Sequence, residues 1–289
     1  MLRGFEGMCR LLLPIRILAV LMALLVQPAL AQPLPVSAPA RLAAVDAASL
    51  PADAQAAIAA SIAAWTRLGA LPGGRWLLVN IPAFEISLMD GPRKLASWRA
   101  IIGKPKTPTP IFTGSTSAVI LNPWWDVPAS IVAESVGRMV ARRPQEAARK
   151  GYVRQGDHYR QAPGPDSQLG QMKLEFHNAH SIGIHDTPSR ALFARDRRAL
   201  SHGCIRVDDP LGFAAALLGP PTSRDSLATL VATNRSTQRL PLPAAMPVIV
   251  GYFTADVGDD GRLRLHEDIY RRAAAGAHGS GSESGACAA

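Results

Sequence analysis

The chain has 289 residues, 48% of them apolar, which suffices for one large domain or two small ones and excludes a disordered or fibrous protein. Its 31 Lys and Arg against 22 Asp and Glu leave a charge of +9. With only 18% charged and 6% aromatic residues, that excess is not the composition of a nucleic-acid binder.

Arg3, Arg10 and Arg16 precede or open an apolar run over residues 17–26, which ends at Gln27 and Pro28 ahead of Ala29-Leu30-Ala31. A positive start, a short apolar middle and an Ala-x-Ala site predict a secretory signal peptide over residues 1–31, and hence work in the periplasm. Ten apolar residues are too few to span a bilayer, although a longer reading from Leu11 leaves an uncleaved anchor as the competing interpretation. Cleavage removes three Arg and Glu6, taking +9 to +7. Cys9 leaves too, and Cys204 and Cys287 are too few for a disulfide framework.

Residues 32–52 are rich in Pro and Ala and read as a linker, followed by a helix over 53–69 with Ile58, Ile62, Trp65 and Leu68 as its apolar stripe. Runs at 76–81, 84–89, 95–102 and 118–121 predict strands, with a turn at Asp90-Gly91. The Pro-rich residues 104–110 fit only a loop at a sheet edge. Residues 128–161 turn basic and helical, which predicts an insertion or lid. Strands are expected again at 171–176 and 181–184, then helices at 208–218 and 225–232. Strands at 247–254 and 263–265 are expected to close the sheet, and residues 274–289 read as a disordered tail. The fold class is therefore mainly β with peripheral helices and an inserted helical lid.

The densest group of reactive side chains is His177, His180 and His185, then Ser201-His202-Gly203-Cys204-Ile205-Arg206. A thiolate nucleophile needs a neighbouring base or cation, and backbone donors to hold the oxyanion of an attacked carbonyl. Gly203 lets the backbone approach that carbonyl closely. A lone Cys is as readily a small buried hydrophobe, and Asp186-Thr187-Pro188 as readily a helix start with Thr187 as cap. Zinc is disfavoured because Cys-x-x-Cys is absent and His180, His185 and Cys204 lack ligand spacing. Arg206 suits a substrate carboxylate as well as a structural ion pair.

His185-Asp186, fourteen residues, then Ser201-His202-Gly203-Cys204 resembles the signature of the L,D-transpeptidase catalytic domain. Val79-Asn80-Ile81-Pro82, Gly103-Lys104-Pro105, Asn122-Pro123-Trp124-Trp125, Pro163-Gly164-Pro165, His185-Asp186-Thr187-Pro188 and Asp268-Ile269-Tyr270 are similar to its large Gram-negative subtype. The resemblance covers residues 76–271 and implies a β-sandwich catalytic domain, taken here as 76–273, with residues 128–161 as a capping subdomain. It implies Cys204 as nucleophile, His185 as base and Asp186 as the residue whose backbone carbonyl orients the imidazole. His202, Gly203 and Cys204 would shape the oxyanion hole, and Arg206, Ser201 and His180 would meet substrate. No cofactor or metal is implied.

That subtype usually carries a long N-terminal region with a peptidoglycan-binding module, whereas only residues 32–75 precede Trp76 in the mature chain, so wall affinity would come from the catalytic domain, its lid or a partner. The implied activity is 3→3 crosslinking of peptidoglycan stem peptides through a Cys204 thioester, open to carbapenem acylation. L,D-carboxypeptidase action, attachment of a protein lysine to the stem and a non-enzymatic wall-binding role are the alternatives.

Overall fold

The computed structural model describes residues 37–273. The expected signal peptide, the expected tail and Cys287 lie outside the described residues. Helix α1 (Ala38–Ala43) and a 3-10 turn (Ala47–Ser49) lead into α2 (Ala52–Leu68), which stops at Gly69 with φ 69°. Residues 38–49 thus correct part of the expected linker: Leu42 is buried against Ile58, Ala255 and Val257, so the few apolar side chains of this Ala-rich stretch anchor it. On α2, Trp65 stacks on Phe253 with ring centroids 4.0 Å apart.

Strands β1 (Arg75–Asn80), β2 (Glu85–Asp90), β3 (Arg93–Gly103) and β4 (Phe112–Leu121) follow, the proline-rich stretch forming the loop before β4 as expected. Next come β5 (Trp125–Asp126), α3 (Ala129–Ile131), a π-helical stretch (Val132–Val136), α4 (Gly137–Arg142), α5 (Pro144–Arg149), β6 (Tyr152–Gln155) and β7 (His158–Gln161). The remainder is β8 (Met172–His177), β9 (Ile184–His185), β10 (Ala199–Ser201), β11 (Ile205–Val207), α6 (Pro210–Leu218), α7 (Arg224–Thr233), β12 (Gln238–Gly251), β13 (Ala255–Val257) and β14 (Leu263–Leu265).

Nine strands form one sheet in the order β10-β3-β11-β9-β8-β4-β12-β1-β2, and β2 also pairs with β3, so the sheet closes on itself. The first seven residues of β3 run beside β2, while Ala100 and Ile101 pair with β11 and Ile102 and Gly103 with β10. Its burial changes accordingly, from alternation to four consecutive buried residues. Inside the closed sheet lie Leu77, Val79, Ile86, Leu121, Ile184, Ile205 and Val248, together with Leu211, Phe213 and Leu217 of α6. Each fully buried aliphatic or aromatic side chain contributes roughly 1.5–3 kcal/mol. Asp209 caps α6 by accepting from the Gly212 N–H at 3.3 Å.

Three expectations are corrected. The insertion is helical only to Arg149; beyond it, β6 and β7 turn at Gly156, with φ 61°, and pair with β5 in a separate three-stranded sheet. Charged side chains on the hairpin hide its alternation, and Trp125, Val127, Val136 and Leu169 give the insertion its own small core. The strand expected at 181–184 shrinks to Ile184 and His185, because the Asn178 side chain holds the preceding residues in a turn through His180 and Ile182. Strand β14 pairs only with β13, outside the main sheet.

Candidate active site

The site grows from register. Strands β9 and β11 run parallel with Ile184 beside Ile205 and His185 beside Arg206, and antiparallel β8 sets Lys173 beside His185. Ile184, Ile205, Met172 and Leu174 point into the core, so alternation puts Lys173, His185 and Arg206 in one row on the opposite face. Cys204 ends the loop before β11, where the Gly183 N–H donates to its Sγ at 3.2 Å. Cys204 and His185 are 6% and 5% exposed.

The lid covers this face. Cys204, His185, Ser201, His202 and Arg206 line a cavity of about 480 Å³, with Met139, Arg143, Lys150 and Tyr152 from the insertion across from them. His202 Nε2 lies 2.9 Å from Glu134 in the π-helical stretch and 3.4 Å from Lys104 Nζ, so one side chain joins the nucleophile loop, the proline-rich loop and the lid. π-Helical turns often occur at functional sites.

His185 Nδ1 lies 2.5 Å from the Asp186 carbonyl. A carbonyl only accepts, so Nδ1 carries the proton and Nε2 is the ring's acceptor. Burial lowers the His185 pKa to about 3, helped by the charges of Arg206 and Lys173 and opposed by the carbonyl contact. The ring is neutral at physiological pH. The Asp186 side chain does not reach the imidazole: its Oδ2 accepts from the Gln171 N–H at 2.7 Å and pairs with Arg190 at 2.8 Å.

The loop carrying Cys204 is bonded throughout. Ser201 Oγ donates to the Cys204 carbonyl at 2.6 Å and accepts from the Gly203 N–H at 3.1 Å. Thr109 Oγ1 donates to the Gly203 carbonyl at 2.7 Å, and Thr107 Oγ1 to the Ser201 carbonyl at 3.2 Å. Gly203 adopts φ 116°, a conformation that side-chain-bearing residues rarely take.

The structure thus gathers Cys204, His185, Ser201, His202, Gly203 and Arg206, with the Asp186 carbonyl on the ring. The Gly203 N–H donates to Ser201 Oγ, a bond that helps to shape the loop ending at Cys204. His180 does not line this cavity; its ring is tilted against Phe112 at 4.9 Å and its N–H bonded to Asn178. Thr187 does not cap a helix either; it accepts from the Ser189 N–H, and the next turn, a 3-10 stretch, begins at Arg190. Sequence reasoning missed Gly183, Lys173, Thr109 and Glu134. Gly183 and Lys173 left the clearest trace, a glycine and a cation each flanked by two apolar residues.

Among the described residues no group of three His, Cys, Asp or Glu side chains is arranged to hold a metal, and no helix is long and apolar enough to cross a membrane.

The YkuD family, described as the L,D-transpeptidase catalytic domain, matches residues 74–259. A Haemophilus influenzae protein named "Putative L,D-transpeptidase" is 30% identical over 216 residues, covering 67% of this chain and 44% of that protein, so the chain spans under half its length. Solved structures with detectable similarity include an L,D-transpeptidase from Mycobacterium smegmatis, at 16% identity, 61% and 58% coverage and TM-score 0.33. Another is L,D-transpeptidase 3 from Mycobacterium tuberculosis with a faropenem-derived adduct, at 15% identity, 61% and 60% coverage and TM-score 0.33. With most of its length matched, from just ahead of β1 to beyond the Cys204 motif, the chain belongs to the L,D-transpeptidase catalytic domain family.

Proposed function

We propose that this protein is a cysteine-dependent L,D-transpeptidase that forms 3→3 crosslinks between peptidoglycan stem peptides. The observation that carries this reading is His185: a buried neutral ring, protonated on Nδ1, on the strand beside Cys204. With Nδ1 on the Asp186 carbonyl, Nε2 is left to take the thiol proton.

Cys204 Sγ attacks the amide between the L-centre of the third stem residue and D-Ala. The C–S bond forms, the C–N bond breaks, and the proton taken by His185 passes to the departing amine, leaving a thioester. An amine from a neighbouring stem attacks the thioester, His185 accepts its proton, and the thiol is restored. With diaminopimelate in third position the product is a 3→3 crosslink. The exchange conserves amide bond energy, as a compartment without ATP requires. The lid excludes water, which would hydrolyse the thioester. Arg206 and the lid's Arg143 and Lys150 offer cations to stem carboxylates, and a signal peptide over 1–31 would deliver the enzyme to the periplasm.

Mass spectrometry of the purified protein and its Cys204→Ala variant with disaccharide-tetrapeptide from a diaminopimelate-type wall tests this. A Cys204-dependent dimer lacking one D-Ala supports it. Cys204-dependent tripeptide without dimer makes the enzyme an L,D-carboxypeptidase, and no product from either protein leaves wall binding without catalysis.

A further inference from the structure

Lys173 is a cation that the reaction above does not use, set in β8 between the core residues Met172 and Leu174. Its neighbour across the strand pair is His185, whose neighbour on the other side is Arg206. Side chains directly opposite each other on paired strands lie about 5 Å apart at Cβ, so the His185 side chain leaves the sheet between those of a lysine and an arginine. We propose that Lys173 is a positioning residue for charge: added to burial and to Arg206, it disfavours the imidazolium of His185 and so makes that transient cation a stronger acid toward the leaving amine.

The surroundings of both groups support this. The ring is faced by Lys173 from β8, by Arg206 from β11, by Cys204 from the preceding loop and by the Asp186 carbonyl from its own chain. Lys173 is faced by Asp126 from β5, Arg160 from β7, Cys204, and Glu175 on its own strand. Asp126 is paired with Arg160 at 2.7 Å, and Glu175 with Arg239, so each acid shares its charge with an arginine and the Lys173 charge also reaches the reactive pair. It acts there with two signs. A positive charge opposes imidazolium and favours thiolate, so the thiol proton is lost easily from Cys204 and released easily by His185. Burial lowers the affinity of Lys173 for its own proton, in keeping with a charge that solvent screens weakly.

The inference rests on the transpeptidase reading for its consequence but not for its test. NMR of ¹⁵N-histidine-labelled protein follows the His185 ring between pH 8 and pH 4. In the wild type the ring remains neutral over this range, and in Lys173→Met, whose titration lies about one pH unit higher, protonation begins at its acid end. Lys173→Arg keeps the wild-type titration. The acid limb of the Cys204 acylation rate should move with the ring in the same direction. An unchanged ring titration in Lys173→Met overturns the proposal, as does an equal shift in Lys173→Arg. Lys173→Gln gives the same readout if the Met variant fails to fold, and loss of the fold in both makes Lys173 structural and overturns it as well. Absence of crosslinked product from the wild type would remove the transpeptidase reading while leaving the ring titration to decide this one.

Discussion

Thr109 Oγ1 donates to the Gly203 carbonyl at 2.7 Å while accepting from the Gly103 N–H at 2.9 Å, which fixes the proline-rich loop to the residue before Cys204. The Thr109 N–H in turn donates to the Tyr270 hydroxyl at 3.2 Å, and that hydroxyl donates to the Gly103 carbonyl at 2.5 Å. Thr109→Val keeps the shape and removes both side-chain bonds, leaving buried polar partners unsatisfied. The expected cost is about 1–3 kcal/mol in a denaturant melt, with thioester formation slowed about tenfold.

Cys204→Ala is expected to abolish turnover and every mass adduct, including that from a carbapenem, with the fold intact by circular dichroism. His185→Ala should form the adduct about 10²–10⁴-fold more slowly, the usual share of a positioned base. Stopped-flow acylation with quench and mass detection separates the two.

Gly203→Ala forces a side chain into φ 116° and brings its Cβ to 3.4 Å from the Ile182 side chain. Strain of roughly 1–3 kcal/mol is expected. The loop can relieve it only by moving Cys204, so acylation should fall further than the melting temperature does.

The pH dependence of stability follows from His185. Its pKa is about 3 in the folded protein and near 6.5 when unfolded. Between these values the unfolded chain binds the extra proton. The stabilisation from the neutral ring is therefore complete above about pH 6.5 and is lost as pH falls toward 3, at up to about 1.4 kcal/mol per pH unit. His185→Gln should flatten denaturant-derived stability over this window, and an equally steep acid slope in that variant would contradict the assignment.

The contact between Glu134 and His202 is half-exposed and adds at most about 1 kcal/mol to stability. Its effect should appear in the partition of the thioester. Glu134→Ala loosens the lid and is expected to raise the ratio of hydrolysed tripeptide to crosslinked dimer with little change in melting temperature. An unchanged ratio would mean that the lid is held by its apolar contacts instead.

The sequence is readable where chemistry is contiguous. His185-Asp186 and Ser201 to Arg206 announce a thiol site because their residue types have few other uses together, and β1 to β3 and the end of β4 announce themselves by alternating or continuous apolar runs. What escapes is decided by register: Lys173 and Gly183 matter only because β8, β9 and β11 align them with His185 and Cys204. The placement of His180 is hidden for the same reason, since proximity in sequence to His185 says nothing of the Asn178-held turn that sets it against Phe112. The β6–β7 hairpin escapes because arginines and glutamines occupy the positions where apolar alternation would show.

The docking of α2 bears on where this domain can be cut. The family match begins at residue 74, beyond α1 and α2. A fragment trimmed there would strip Trp65 from Phe253 and the Ser61 hydroxyl from the Ala255 N–H, which it meets at 2.9 Å. A large aromatic face and a strand edge would then be wet, both of them sticky surfaces for a second molecule. Expression fragments should therefore begin ahead of Ala38, and a shorter fragment that precipitates would report on its missing helices rather than on its chemistry.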